Sequence, residues 1–247
     1  MDNFFALYDT LLNNMHGEGA LARIERAEAG AHFAFAEAGD RLGIAMAGDW
    51  DTVAPLRPDG LGGLTLREAA ECAKSWNLRE AAMGVAAMNA YYNTVARISA
   101  LDCAEPFENH AVRGLEFDGA VVGIVGHMHL TDEVHRKAAR VYTLERRPQP
   151  GDYPDSACEL ILPQCDYVFI SGSTLMNKTL PRLLELSCNA YTVLLGPSVP
   201  LCPELLQHGV DRLSGMVVTD NAAMREHVRQ ALPRSPYSMG TPFLISK

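Results

Sequence analysis

At 247 residues the chain can form one large domain or two modest ones, either with a substantial core. Hydrophobic residues at 48% and charged residues at 21% are ordinary globular usage and exclude an intrinsically disordered chain. Lys plus Arg number 21 against 30 Asp plus Glu, and the formal charge of −9 argues against nucleic acid or anionic membrane surfaces as partners.

The first half, residues 1–105, opens on Phe4, Phe5, Tyr8, Leu11, Leu12 and Met15, a stripe at helical spacing. Three extended runs follow, Ala22–Glu28, His32–Glu37 and Leu42–Ala47, separated by links short enough for antiparallel hairpins. Pro55 to Gly63 is a loop rich in proline and glycine. Two capping boxes then start helices, Thr65 with Glu68 and Asn77 with Glu80. The second opens a long helix expected from Leu78 to about Ile98. A helix, a three-stranded meander and a helix pair make an α+β domain.

The second half, residues 106–247, alternates. Apolar runs at Ala120–Val125, Arg140–Leu144, Asp166–Ile170 and Tyr191–Leu195 are separated by helical segments at Asp132–Ala139, Leu180–Leu186 and Pro203–Gln207. A last strand near Arg212–Val218 leads into a helix over Asn221–Leu232. Strands alternating with helices predict βαβ units and a mostly parallel sheet flanked by helices. The fold class is therefore α/β, with an α+β N-terminal domain.

No apolar run approaches the ~18 residues of a membrane helix. The start, Met1-Asp2-Asn3-Phe4-Phe5, lacks a basic leader region, so a cytoplasmic location is expected. Cysteines at 72, 103, 158, 165, 188 and 202 have no zinc-finger or thioredoxin-type spacing, and buried reduced thiols are the expectation.

In an open parallel sheet, ligands bind beyond the carboxyl ends of the strands. Those ends carry Gly126 and His127, then Glu145, then Ser171, Gly172, Ser173, Thr174 and Asn177, then Gly196, Pro197 and Ser198. Glycine beside hydroxyl or imidazole suits close backbone approach and a small polar ligand. The same residue types also serve as plain turn and cap residues. Gly119, Gly123 and Gly126 do not make a G-x-G-x-x-G fingerprint, yet Glu145 stands where an acidic side chain would meet a ribose hydroxyl. His127 and His129 share a face only if their segment is extended, and His127 is the candidate ligand for a transition-metal ion. Asn89 and Asn93 share one face of the long helix and either line the crevice or make inter-domain hydrogen bonds. Asp152 and Asp155 sit in a Pro/Gly-rich turn and are read as solvated. No nucleophile elbow, Walker A, H-E-x-x-H or EF-hand motif occurs, so no catalytic residue is assigned.

Several stretches resemble one known family. They are Gly84-Val85-Ala86-Ala87-Met88-Asn89-Ala90, Val122-Gly123-Ile124-Val125-Gly126-His127, the run from Glu145 to Pro154, Asp166 to Thr179, and Gly196-Pro197-Ser198. They are similar to a bacterial and archaeal group named for heavy-metal chelation. The resemblance implies an enolase-N-terminal-like domain followed by a Rossmann-like domain. It also implies a metal-homeostasis role, with a metal or metal complex held in the crevice at the sheet's carboxyl edge. Cys202 departs from the expected pattern and is either a soft-metal donor or a neutral replacement of serine. The alternative function is an enzyme or sensor for a small organic ligand with a ribose or similar diol, its hydroxyls accepted by Glu145. A homodimer is the default assembly.

Overall fold

The computed structural model describes residues 5–48, 53–106, 111–128, 130–232 and 235–247. Phe4 and His129, named above, lie outside the described residues. The first sheet is an antiparallel meander of β1 (Arg26–Ala29), β2 (Phe33–Ala38) and β3 (Arg41–Met46). The second has eight strands: β4 (Ala104–Pro106), β5 (Val121–Val125), β6 (Arg140–Glu145), β7 (Tyr153–Pro154), β8 (Tyr167–Ser171), β9 (Tyr191–Leu195), β10 (Arg212–Val218) and β11 (Gly240–Ser246). They lie in the order β4-β11-β10-β9-β8-β5-β6-β7. The six from β10 to β7 are parallel, while β11 runs antiparallel to both its neighbours.

The parallel core is a doubly wound sheet. Its strand order reverses between β5 and β8, and the crevice of such a sheet opens at that switch. The buried middles of β5 and β8 carry no polar side chain, as a sheet covered on both sides requires, while β9 includes the buried Thr192.

Three strands escape the apolar-run criterion for physical reasons. β4 and β7 are three and two residues long, and β11 carries Pro242. The long helix also ends sooner than its composition suggests. It runs Leu78–Tyr92, and Val95–Ile98 is a separate turn with Thr94 as its side-chain cap. The break is Asn93, whose ψ of 62° leaves the helix. Its side chain is committed to other segments: Nδ2 donates to Val199 O at 2.9 Å and Met216 O at 3.1 Å, and Oδ1 accepts Leu201 N–H at 2.8 Å.

The long helix lies against the meander so closely that no side chain fits at Gly43. A Cβ there would stand 2.1 Å from Ala90 N and 2.2 Å from Ala86 O. One buried apolar cluster joins residues of both halves, including Leu11, Tyr92, Ile170 and Leu175. Polar ties cross between the halves as well: Tyr8 Oη–H donates to Leu175 O at 2.6 Å, and Met46 N–H to Ser198 Oγ at 2.8 Å. Glu37 and Glu28 pair with Arg225 and Arg229 of the helix Asn221–Gln230.

Lys178 adds a buried cationic tie. Its backbone has φ 65°, and Nζ donates to the carbonyls of Ser75 and Met176. Burial draws its pKa down from 10.5 to about 8, while the nearby charge of Glu80 opposes the shift.

Two expectations follow from this packing. Gly43→Ala forces helix and sheet apart and lowers stability by more than about 2 kcal/mol, read from the denaturant midpoint. Lys178 binds its proton more tightly in the unfolded chain than in the folded one. Between about pH 8 and pH 10.5 it therefore makes stability rise with pH. Lys178→Met removes that contribution, so the stability difference between wild type and variant moves in favour of wild type as pH climbs through this window.

Candidate functional site

At the switch point the strands β5, β6 and β8 end around an open cleft of about 500 Å³. Its walls include Gly126, Glu145, Arg146, Asp155, Ser171, Ser173, Thr174, Asn177 and Thr179, with Val125, Leu144, Cys158 and Leu183 as the apolar floor. A neighbouring space of about 580 Å³ shares Glu145, Arg146, Ser173 and Asn177 with it. That second space is closed on its far side by Met46, Ala47, Gly48 and Leu78 of the first half.

The turn after β8 supplies most of the hydroxyls. Ser171 Oγ and Ser173 Oγ are 2.9 Å apart, and Ser173 N–H donates to Ser171 Oγ at 3.3 Å. Thr174 Oγ1–H returns to Ser171 O at 2.7 Å. Asn177 Oδ1 accepts both Thr179 N–H at 3.1 Å and Thr179 Oγ1–H at 2.6 Å, which fixes the orientation of its amide. Gly172 is required by close approach: a Cβ would lie 2.7 Å from Val199 Cγ2 and 3.0 Å from Val199 N.

Glu145 ends β6 and closes two turns. Oε2 accepts His127 N–H at 2.8 Å, while Oε1 accepts Arg146 N–H at 2.7 Å and Arg147 N–H at 3.2 Å. Next to it Arg146 Nε donates to Asp155 Oδ2 at 3.1 Å.

His127 lines neither space: its N–H reaches Glu145, while its side chain is 51% exposed. Its Nδ1 lies 3.1 Å from Asp152 Oδ2. An ionised carboxylate only accepts, so Nδ1 carries the proton in this pair.

Not every residue singled out from the sequence reaches the cleft. Asn89 and Asn93 are buried, and Asn89 Nδ2 donates to Ile44 O at 2.7 Å and Pro197 O at 3.4 Å. The helix wall of the cleft is Leu78, at the other end of the same helix. Gly196, Pro197 and Ser198 form a brace beneath it, with Ser198 Oγ engaged by Met46 N–H. Asp152 is not solvated: its side chain is 8% exposed and also accepts Gln149 N–H at 2.9 Å. Asp155 faces the cleft in its pair with Arg146. Cys103 and Cys188 are exposed rather than buried, while Cys202 is buried with Sγ 2.9 Å from Glu204 Oε2, away from the cleft walls.

Sequence reasoning missed Arg146, Asp155, Cys158 and Thr179. The signal available for the first was its place directly after the strand-ending Glu145.

Residues 114–241 match one family model and residues 8–92 match a second, and both carry the description "Putative heavy-metal chelation". The chain belongs to this family. A family member of unknown function from Desulfitobacterium hafniense DCB-2 has a crystal structure that superposes with a TM-score of 0.86. It is 36% identical, over 100% of this chain and 99% of that one. A second family structure, from Pyrococcus horikoshii and also of unknown function, has a TM-score of 0.76 at 23% identity, over 99% of each chain, and shows the shared fold. An uncharacterised protein of Methanocaldococcus jannaschii is 31% identical over 165 residues. That match takes in 63% of this chain and 61% of the relative.

The family description implies a heavy metal, and the donor chemistry of the cleft tests that implication. Among the described residues, no group of three or more His, Cys, Asp and Glu side chains is arranged to hold an ion. Burial, helped by the charge of Asp155, pushes the Cys158 thiol up to about 11, so it is not a ready thiolate. Glu145 is occupied by backbone N–H groups and Asp155 by Arg146. The cleft does not fit a bare soft ion.

Glu145→Gln checks the closing role of this carboxylate. The new NH₂ would face a backbone N–H on one side, so the variant should lose about 1–3 kcal/mol, read by guanidinium denaturation. An unchanged midpoint would mean that the three N–H contacts carry little.

Proposed function

We propose that the chain binds a small polar organic ligand in the switch-point cleft, and that a heavy metal enters as part of such a ligand's complex. The observation that carries this reading is the convergence of Ser171, Ser173, Thr174, Thr179, Asn177 and Arg146 on one open space at the carboxyl edge of the sheet. Hydroxyls and amides in a partly apolar pocket fix the orientation of an organic molecule by hydrogen bonds. The same groups are weak partners for a soft cation, which prefers thiolate and imidazole. A metal already wrapped by its own chelator presents the polar organic outside that these walls match. The site is read as a binding site, because the polar groups described in it are of the kind that hold and orient a ligand.

One observation favours a second reading. Asp152 holds Nδ1 of His127, and a carboxylate on one imidazole nitrogen is how many histidine ligands are oriented to offer Nε2 to a metal. On that reading His127 is a metal ligand, completed by groups that the bound molecule brings.

Native mass spectrometry on protein purified without chelator or affinity metal tests both readings. We expect a retained organic mass, with or without a metal, that disappears on denaturation and is lost in Ser173→Leu, which fills the space shared by the two parts of the cleft. A bare metal ion retained equally by wild type and Ser173→Leu, and released by His127→Ala, would overturn the first reading in favour of the second.

A further inference from the structure

In dinucleotide sites of this sheet order, the acidic residue ending the second strand accepts ribose hydroxyls. Glu145 occupies that place but is used differently. A carboxylate has about four acceptor positions, and the N–H groups of His127, Arg146 and Arg147 take three of them. Its effect is to clamp the turns after β5 and β6, and the clamp sets two guanidiniums at the cleft. Arg146 lines both parts of the cleft and Arg147 lines the second. Ser173 and Asn177 line both parts with them.

Asp155 completes the arrangement. It lines the first part of the cleft and accepts from Arg146 Nε at 3.1 Å, with the two side chains 47% and 35% exposed. We propose that the cleft takes its ligand through an anionic group, a phosphate or a carboxylate, which replaces Asp155 on Arg146. This rests on the reading of the cleft as the binding site and adds the chemical class of what enters it. A planar guanidinium offers parallel N–H donors that match two oxygens of either anion. The Arg146–Asp155 pair is half-exposed, and exposed ion pairs are weakly held, so a ligand anion can compete with Asp155 for the guanidinium. Of the paired Ser171 and Ser173 hydroxyls one donates to the other, and the second is left to donate to a further oxygen. Glu145 is a positioning residue in this scheme, and a neutral diol would find most of its acceptor capacity already used.

The test titrates inorganic phosphate and, separately, neutral D-ribose into ¹⁵N-labelled wild type, Arg146→Gln, Asp155→Asn and Ser173→Leu, following amide shifts. Native mass spectrometry of the same four proteins reads retained ligand. Phosphate should bind the wild type and bind Asp155→Asn about two- to fivefold tighter, because the competing carboxylate is gone. Arg146→Gln should weaken it about tenfold or more. Ribose should bind none of the four. Equal phosphate affinity in wild type, Arg146→Gln and Asp155→Asn overturns the inference. So does an absence of phosphate binding in both wild type and Asp155→Asn. A retained ligand without an anionic group, lost in Ser173→Leu but kept in Arg146→Gln, also overturns it, while leaving the cleft as the binding site. Phosphate binding that Ser173→Leu leaves unchanged overturns the cleft reading itself, and this inference with it.

Discussion

The geometry of the cleft depends on the buried carboxamide of Asn93. It stands at the end of the long helix, and its amide and carbonyl reach Val199 O, Met216 O and Leu201 N–H, groups of the second sheet and of the loop after β9. A buried amide with its donors and acceptor engaged fixes position and orientation together, since leaving any of these groups unpaired costs about 1–3 kcal/mol. The loop held this way meets Met46 through Ser198 and presses Val199 against Gly172. Gly172 leads into Ser173, the hydroxyl that lies in both parts of the cleft. From Asn93 to Ser173 the contacts run unbroken through Val199 and Gly172. A polar pair on one helix face, distant from any ligand, thereby fixes the wall of the site.

The same route explains why the cleft lies at the junction of the two halves. β3 and the start of the long helix bring Met46 to Gly48 and Leu78 to its far side, while the strands β5, β6 and β8 bring the polar groups. The first half adds a wall, while the floor and the polar groups come from the second. The apolar cluster that runs through both halves, with the ties at Tyr8, Lys178 and Arg225, holds the two contributions in register. A site with such walls needs both segments folded and docked, which is consistent with the two family models standing in one chain.

How much of this could be read from the sequence follows the range of each interaction. Extended and apolar runs announced the meander and the strands β5, β6, β8, β9 and β10, because side-chain burial along a strand leaves a local signature. The edge strands β4 and β7 are too short to carry one, and Pro242 masks β11. The strand-end rule brought Gly126, Glu145, Ser171, Ser173, Thr174 and Asn177 to one place, and these residues line one cleft. It overreached at Gly196, Pro197 and Ser198, which follow a strand but brace β3 and the long helix. Asn89 and Asn93 stood out as polar residues in a helix, but partners about a hundred positions away leave no trace in local spacing. Asp155 and Cys158 lie beyond the turn after β6, where no periodicity exists to place them.

Charge poses the sharpest physical question about the cleft. The protein carries a net −9, and a uniform negative field would turn away an anionic ligand. Screening limits that field: at physiological ionic strength it decays over about 8 Å. Within that distance Arg146 and Arg147 adjoin each other in the chain, and Glu145 is bound by N–H donors that blunt its charge. Asp155 opposes an anion locally from its half-exposed ion pair with Arg146. On the proposed reading an anion competes with that carboxylate for Arg146, against a background that salt has largely removed. With Glu145 and Asp155 set against Arg146 and Arg147 the cleft lining is formally neutral, so an anion meets less opposition there than the net charge of −9 would suggest.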